Sequence, residues 1–175
     1  LLTDEIIELV GSSGNFCNHF HIPLQSGDPE TLKLMRRRYN REYYAGLIEK
    51  LNNKIPGLGI GVDVIIGFPG ETDERFWNTF NFLEGLQISY LHVFTYSERR
   101  NTHAVTLPGR VEMKDRKERS KILRELSNKK KMQFYTRNAG IKHEVLFESA
   151  REDDYIYGFT DNYIKVRTLH KPELE

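Results

Sequence analysis

Gln25 and Arg37 are a pair of side chains whose types and spacing could hold a small charged ligand. Gln25 ends a predicted strand, His19 to Leu24, and Arg37 lies about two turns into the predicted helix that follows. Helix side chains lean toward the N-terminus, so Arg37 can reach back to the strand end. A guanidinium placed there suits a carboxylate, beside an amide that contacts a hydroxyl. The plainer reading is a surface arginine among Arg36, Arg37 and Arg38.

Two further groups have chemical potential. His19 and His21 lie two apart on the same strand and share a face, and with His92 they offer three imidazoles. No ligand spacing supports a metal there, and ordinary strand histidines are the simpler reading. Ile65 to Thr72 is a glycine loop, Ile-Ile-Gly-Phe-Pro-Gly-Glu-Thr. No Gly-Lys-Ser/Thr closes it as in a phosphate loop, and the glycine spacing is wrong for a dinucleotide fingerprint. Gly67 could let a flat ligand approach the backbone, or simply make a tight turn.

Residues 110–137 hold eleven Lys/Arg and four Asp/Glu, a net of +7, in a chain whose total is +1. Such a block is either a polyanion-binding face or a solvated helix with a narrow buried stripe of Ile122, Leu123 and Leu126. In the first reading, Lys129, Lys130 and Lys131 would contact phosphates, next to an aromatic-rich segment with Tyr155, Tyr157, Phe159 and Tyr163.

The elements that must position these residues alternate. A strand at His19 to Leu24 leads through Asp28-Pro29, a helix entry, into helix to about Tyr39. Asn40 caps a second helix, which Pro56-Gly57 stops. Ile60 to Ile66 is a near-continuous apolar run, as in a strand covered on both faces. Thr72 caps a helix with an aromatic stripe at Phe76, Trp77 and Phe80, and Ser89 to Phe94 is the next strand. This alternation predicts a parallel α/β sheet whose strand ends carry the ligand site. After Gly140 the period switches to two, which predicts three antiparallel strands. The boundaries read from this are 1–109 for the parallel part, 110–140 for a basic helical connector and 141–175 for an incomplete β segment.

Composition excludes several classes. At 29% charged and nearly neutral, the chain is no disordered polyelectrolyte. No apolar run approaches a membrane span. One cysteine, Cys17, excludes a disulfide framework or a self-contained iron–sulfur site, and a small buried apolar role is expected for it. With one thiol and no secretion signal, the cytoplasm is the expected compartment. Leu1 opens directly into a helical pattern, and Leu174-Glu175 reads as a tag scar, so an excised fragment is expected.

Four strings in register add a resemblance: His21-Ile22-Pro23-Leu24-Gln25-Ser26-Gly27, Leu34-Met35-Arg36-Arg37-Arg38-Tyr39, Asp63 to Thr72, and Tyr90 to Ser97. Together they resemble the radical S-adenosylmethionine tRNA methylthiotransferases, most closely the branch acting on threonylcarbamoyladenosine beside the anticodon. The resemblance implies the second half of a partial (β/α) radical-S-adenosylmethionine barrel, followed by a truncated RNA-binding β-domain of the TRAM type. It implies S-adenosylmethionine and [4Fe-4S] clusters as cofactors and tRNA as partner. It also places Gln25 and Ser26 at the ribose or amino-acid part of S-adenosylmethionine, and Arg37 at its carboxylate. Asp63 and Gly67 would line the adenosine site, and Val93, Phe94 and Thr95 would lie against the adenine.

The cluster-binding cysteines of that family are absent here, and Cys17 is not one of them, so the chain alone is expected to be inactive. The family commonly has Gly before the Thr of the last loop, where this sequence has Asn101 before Thr102. A half-barrel would expose a sheet edge and favour self-association. Two alternatives stay open: a non-catalytic RNA-binding module, and another radical S-adenosylmethionine enzyme with a substrate other than RNA.

Overall fold

The computed structural model describes residues 2–171, with side chains given for all of these except 149–152. The elements run α1 (Asp4–Ser12), β1 (His19–His21), α2 (Pro29–Leu34), α3 (Arg41–Lys54), β2 (Gly59–Ile66), α4 (Asp73–Gly85), β3 (Tyr90–Thr95), α5 (Met113–Asn138), β4 (Val145–Glu152), β5 (Tyr155–Thr160) and β6 (Lys165–Leu169). The first three strands form a parallel sheet in chain order, and the last three an antiparallel one. This is the mixed α/β architecture that the alternating pattern predicts.

The expected caps form. Asp28, Asn40 and Thr72 each accept from a backbone N–H in the first turn of α2, α3 and α4. One helix is shorter than expected, because α2 ends at Leu34 rather than near Tyr39. Arg36 takes a left-handed φ of 55°, while Arg36 N–H donates to Lys33 O and Arg37 N–H to Leu32 O. That is a Schellman ending made without glycine, which sequence pattern alone does not announce.

On β2, Ile60, Val62, Val64 and Ile66 are fully buried in a core shared with Ile48, Leu51, Phe76, Leu83 and Leu123. The alternate residues are Gly59, Gly61, Asp63 and Ile65. Asp63 and Ile65 stay half-open, so the strand is fully covered on one face rather than both. α5 packs on this layer through Leu123 and Leu126. Its Ser127 hydroxyl accepts from Leu91 N–H and donates to Leu91 O.

Part of the basic block is internal. Arg116, Arg119 and Lys130 are buried, leaving a smaller exposed basic face than the charge count implies. Lys130 Nζ donates to Glu84 O at 3.0 Å and Leu86 O at 2.7 Å, which places an ammonium on the unsatisfied carbonyls ending α4. Lys129 pairs with Glu84 on the surface. Cys17 is exposed, not buried, because it sits in the turn before β1.

The antiparallel sheet is tied to the parallel one by the β5–β6 turn. Asn162 Nδ2 donates to Gly57 O and to Asn138 Oδ1, both at 2.8 Å. Asp161 meets Asn18 and His143. Tyr163 lies in this turn rather than in a strand, with φ at 71°, and stacks on His19 at 4.4 Å.

Burial pulls the Lys130 ammonium down to about 8, whereas an unfolded-chain lysine titrates near ~10.4. Between these values the folded chain releases its proton first, so the unfolded chain binds more protons and stability rises with pH. Urea melts across that window should show this rise in the wild type and a flattened profile in Lys130→Met.

Candidate functional site

The carboxyl ends of the three parallel strands meet at one rim. Leu24 N–H and Gln25 N–H both donate to Asp63 O, at 3.1 and 2.9 Å, and Gln25 O accepts from Ile65 N–H at 2.9 Å. Two residues thus oppose one, a bulge, and Gln25 adopts φ of 72°. A non-glycine residue held there costs on the order of 1 kcal/mol or more, which the two ladder bonds on either side offset. Gln25 is left half-buried at the rim.

Arg37 leaves the α2 ending just before Tyr39, whose hydroxyl donates to Leu24 O at 2.8 Å. That bond fixes the segment beside the strand end. The Arg37 side chain is exposed, and its guanidinium makes no ion pair or hydrogen bond among the described residues. Ser26 sits differently, at 1% exposure. Its hydroxyl lies 3.1 Å from Thr79 Oγ1 on α4 and accepts from Asp28 N–H, so its side chain is committed to the turn.

Gly67 has φ of 78°, and its N–H donates to Glu71 Oε1 at 2.9 Å. The same oxygen accepts from Arg119 Nη1 at 2.7 Å. Burial pushes the Glu71 carboxyl above its ordinary range, opposed by the Gly67 N–H and the Arg119 guanidinium. A β-carbon on Gly67 would meet Arg116 Cγ at 2.3 Å. Close approach at Gly67 is therefore real, and the neighbour that requires it is a side chain of α5.

Along β3 the alternation divides the three expected residues. Val93 packs against the core and Thr95 Oγ1 lies 3.1 Å from Ser120 Oγ on α5. Phe94 points the other way, 52% exposed and edge-on to His92. It shares that open face with Asp63. Asn101, where a glycine was expected, has φ of 65°, a left-handed conformation that asparagine tolerates.

Sequence reasoning grouped His21 and His92 with His19 but missed the carboxylate that joins the first two. His21 Nε2 lies 2.6 Å from Asp63 Oδ1, and His92 Nδ1 lies 3.4 Å from the same oxygen. His19 bonds the Tyr90 hydroxyl at 2.8 Å instead of joining them. The signal was available as same-parity positions on adjacent parallel strands, with Asp63 opposite His92.

Strand ends carrying an amide and an exposed aromatic ring are the kind of place at which α/β sheets bind nucleotide-like cofactors, and the unpaired guanidinium follows one helix later in the chain. A family model described as the Radical SAM superfamily matches residues 1–83. The fold agrees with that class: coproporphyrinogen III oxidase (HemN) from Escherichia coli, a radical SAM enzyme, superposes with a TM-score of 0.55. It does so at 16% identity, over 84% of this chain and 31% of that one.

The sequence comparisons go further. The threonylcarbamoyladenosine tRNA methylthiotransferase MtaB of Bacillus subtilis (strain 168) is 40% identical over 169 residues, 94% of this chain and 38% of the relative. Its namesake from Rickettsia prowazekii (strain Madrid E) is 40% identical over 176 residues, 99% of this chain and 42% of the relative. A tRNA-2-methylthio-N(6)-dimethylallyladenosine synthase from Carboxydothermus hydrogenoformans is 37% identical over 153 residues, 87% of this chain and 35% of that relative. The chain is thus similar, along nearly its whole length, to tRNA methylthiotransferases, and its first half matches the Radical SAM superfamily. It spans about two fifths of the length of the curated relatives it matches, 38% and 42% for the first two.

The residue types present fit the S-adenosylmethionine that the matched Radical SAM model implies. The Arg37 guanidinium has no competing side-chain partner among the described residues, Gln25 is half-buried and Phe94 exposed, residue types suited to a ligand carrying a carboxylate, hydroxyls and a purine. They do not fit an iron–sulfur cluster: the single cysteine, Cys17, precedes β1, at the opposite end of the sheet from Gln25.

Gly67→Ala should destabilise the chain by about 2–4 kcal/mol, since it adds a buried clash to a left-handed φ. Gly46→Ala, in α3 with open space around it, should be stabilising by about 0.5–1 kcal/mol. Paired denaturant melts check both signs.

Proposed function

We propose that the protein containing this chain is a tRNA methylthiotransferase that modifies threonylcarbamoyladenosine next to the anticodon, and that this chain supplies its S-adenosylmethionine rim and part of its RNA contact. The observation carrying the reading is 40% identity, nearly end to end along this chain, to two relatives named for that nucleoside. Arg37 holds the carboxylate of S-adenosylmethionine and Gln25 its ribose or amino-acid part, with Phe94 against the purine. Backbone atoms of Ser26 and Gly67 complete the rim. Asp63 faces the adenosine from the inner layer.

S-adenosylmethionine, when bound, supplies the radical chemistry and the methyl group. The work of these residues is to bind, orient and exclude water. Cluster ligands lie outside this chain, so residues 1–175 alone are inactive. The division into a barrel half at 1–109, a helical connector at 110–140 and a TRAM-type segment from 141 belongs to the same reading.

The antiparallel sheet offers RNA two arginine- or lysine-on-tyrosine pairs. Lys165 Nζ lies 5.0 Å from the Tyr157 ring centre, and the Arg167 guanidinium 4.6 Å from Tyr155. Beside it, a cleft of about 390 Å³ is lined by Tyr90, Lys131, Phe134, Phe159, Tyr163 and Lys165 among others. Lys131 is exposed there and, unlike Lys130, free to meet a phosphate. Among the described residues no helix is long and apolar enough to cross a membrane. A cytoplasmic location and self-association through the free edge of β1 are part of the proposal.

Full-length protein, reconstituted anaerobically and given S-adenosylmethionine, should convert threonylcarbamoyladenosine in tRNA to its methylthio form, read by nucleoside mass spectrometry. Conversion of dimethylallyladenosine instead would reverse the substrate assignment, and binding of tRNA without any conversion would favour a non-catalytic module. In the same protein, Arg37→Ala should weaken S-adenosylmethionine binding by about 1.5–3 kcal/mol, the scale of a charge-assisted hydrogen bond. Arg38→Ala should do far less. Equal losses in calorimetric titration would return Arg37 to the surface.

A further inference from the structure

We propose that His21, Asp63 and His92 form a binding site for a divalent transition-metal cation of the zinc class. Each comes from a different strand of the parallel sheet, β1, β2 and β3 in order. One ligand atom from each lies within 4.8 Å of the others. The set is two imidazole nitrogens and one carboxylate oxygen, the donor types of borderline divalent metals rather than of calcium or magnesium.

Three observations make this more than a cluster of polar groups. Asp63 has ion-pair contacts only with the two imidazoles among the described residues, and its side chain is 22% exposed. Both imidazole nitrogens address the same Asp63 oxygen, so a divalent ion set among them would replace those contacts with metal–ligand bonds. The two imidazole rings are 4.9 Å apart and tilted by 40°, converging on Asp63 rather than stacking flat. Tyr90 and Phe94 wall the site, with ring centres 5.2 and 6.4 Å from His92. Such walls lower the local polarity around a bound ion.

His92 is 51% exposed, so the side facing the sheet's open face is uncovered. Three protein ligands and an open position define the coordination of a reactive or substrate-binding metal, not a closed structural one. The site is distinct from the iron–sulfur clusters of the family, which use cysteines this chain lacks. It does not depend on which nucleoside the parent protein modifies.

The test uses the 175-residue chain freed of metal by chelator and titrated anaerobically with Co²⁺, then with Zn²⁺ in competition. The expected result is one Co²⁺ per chain, with visible ligand-field absorption and a Kd at or below about 10 μM. Asp63→Asn and His92→Asn should each weaken binding by about 10-fold or more, while His103→Asn, on an exposed 3-10 turn, should leave it unchanged. The wild-type Tm should rise with added Zn²⁺, a readout that does not depend on how well the variants fold. Binding weaker than about 100 μM, or equal binding by wild type and Asp63→Asn, would overturn the proposal and leave the trio as a hydrogen-bonded His–Asp pair with a neighbouring imidazole.

Discussion

A single buried guanidinium holds the working end of the parallel sheet together. Arg116, 1% exposed, lies across Gly67 and donates to Val111 O at 2.8 Å, Tyr96 O at 2.9 Å and Glu98 Oε1 at 2.7 Å. One side chain of α5 thereby joins the ends of β2 and β3 to the loop that precedes its own helix. The charge is tolerated because every bond it makes is to an oxygen, and the Glu98 carboxyl is held down near about 2 mainly by its hydrogen bond to Arg116. The glycine at 67 follows from this geometry, because a β-carbon there would occupy the place of the arginine stem. Arg119, about one turn on, repeats the device on Glu71 and Asp73, so α5 clamps the whole glycine loop.

This clamp explains which parts of the site could be read in the sequence. The caps at Asp28, Asn40 and Thr72 are local: a short polar side chain, a free N–H and a following helix suffice, and all three formed. The parallel pairing of strands separated by helices also follows from local alternation. What stayed hidden depends on residues far apart in the chain. Arg116, Arg119 and Lys130 look like any charges in a run of eleven until α4 and the strand ends are placed against them. The early end of α2 was equally hidden, because Arg36 in a left-handed conformation breaks the usual preference for glycine.

The face assignment of β3 shows the same limit. A string that reads Val93-Phe94-Thr95 as one ligand-facing unit ignores the period of two, which sends Val93 and Thr95 toward α5 and Phe94 toward Asp63. Motif similarity identifies the strand end, while the pleat decides which of its side chains can touch a ligand. Ser26 illustrates this on the neighbouring strand end, where the hydroxyl turns to Thr79 and leaves only backbone at the rim.

The opposite end of the sheet is built by subtraction. A β-carbon at Gly59 would meet Asn162 O at 2.3 Å, and one at Gly61 would meet the Tyr90 ring at 2.5 Å. With both absent, the β5–β6 turn and the tyrosine ring lie directly on the backbone of β2. Tyr163 accepts a strained φ in that turn and gains a stacked contact with His19, whose other neighbour is the Tyr90 hydroxyl. Tyr90 in turn borders both His21 and His92. Packed rings therefore run without a gap from the antiparallel sheet to Asp63. The turn cannot shift far without displacing His19, because Asn162 is also fixed to Gly57 and Asn138. The appended sheet is thus part of the wall of the inner layer, and the position of its turn helps set the geometry of the histidine–aspartate trio.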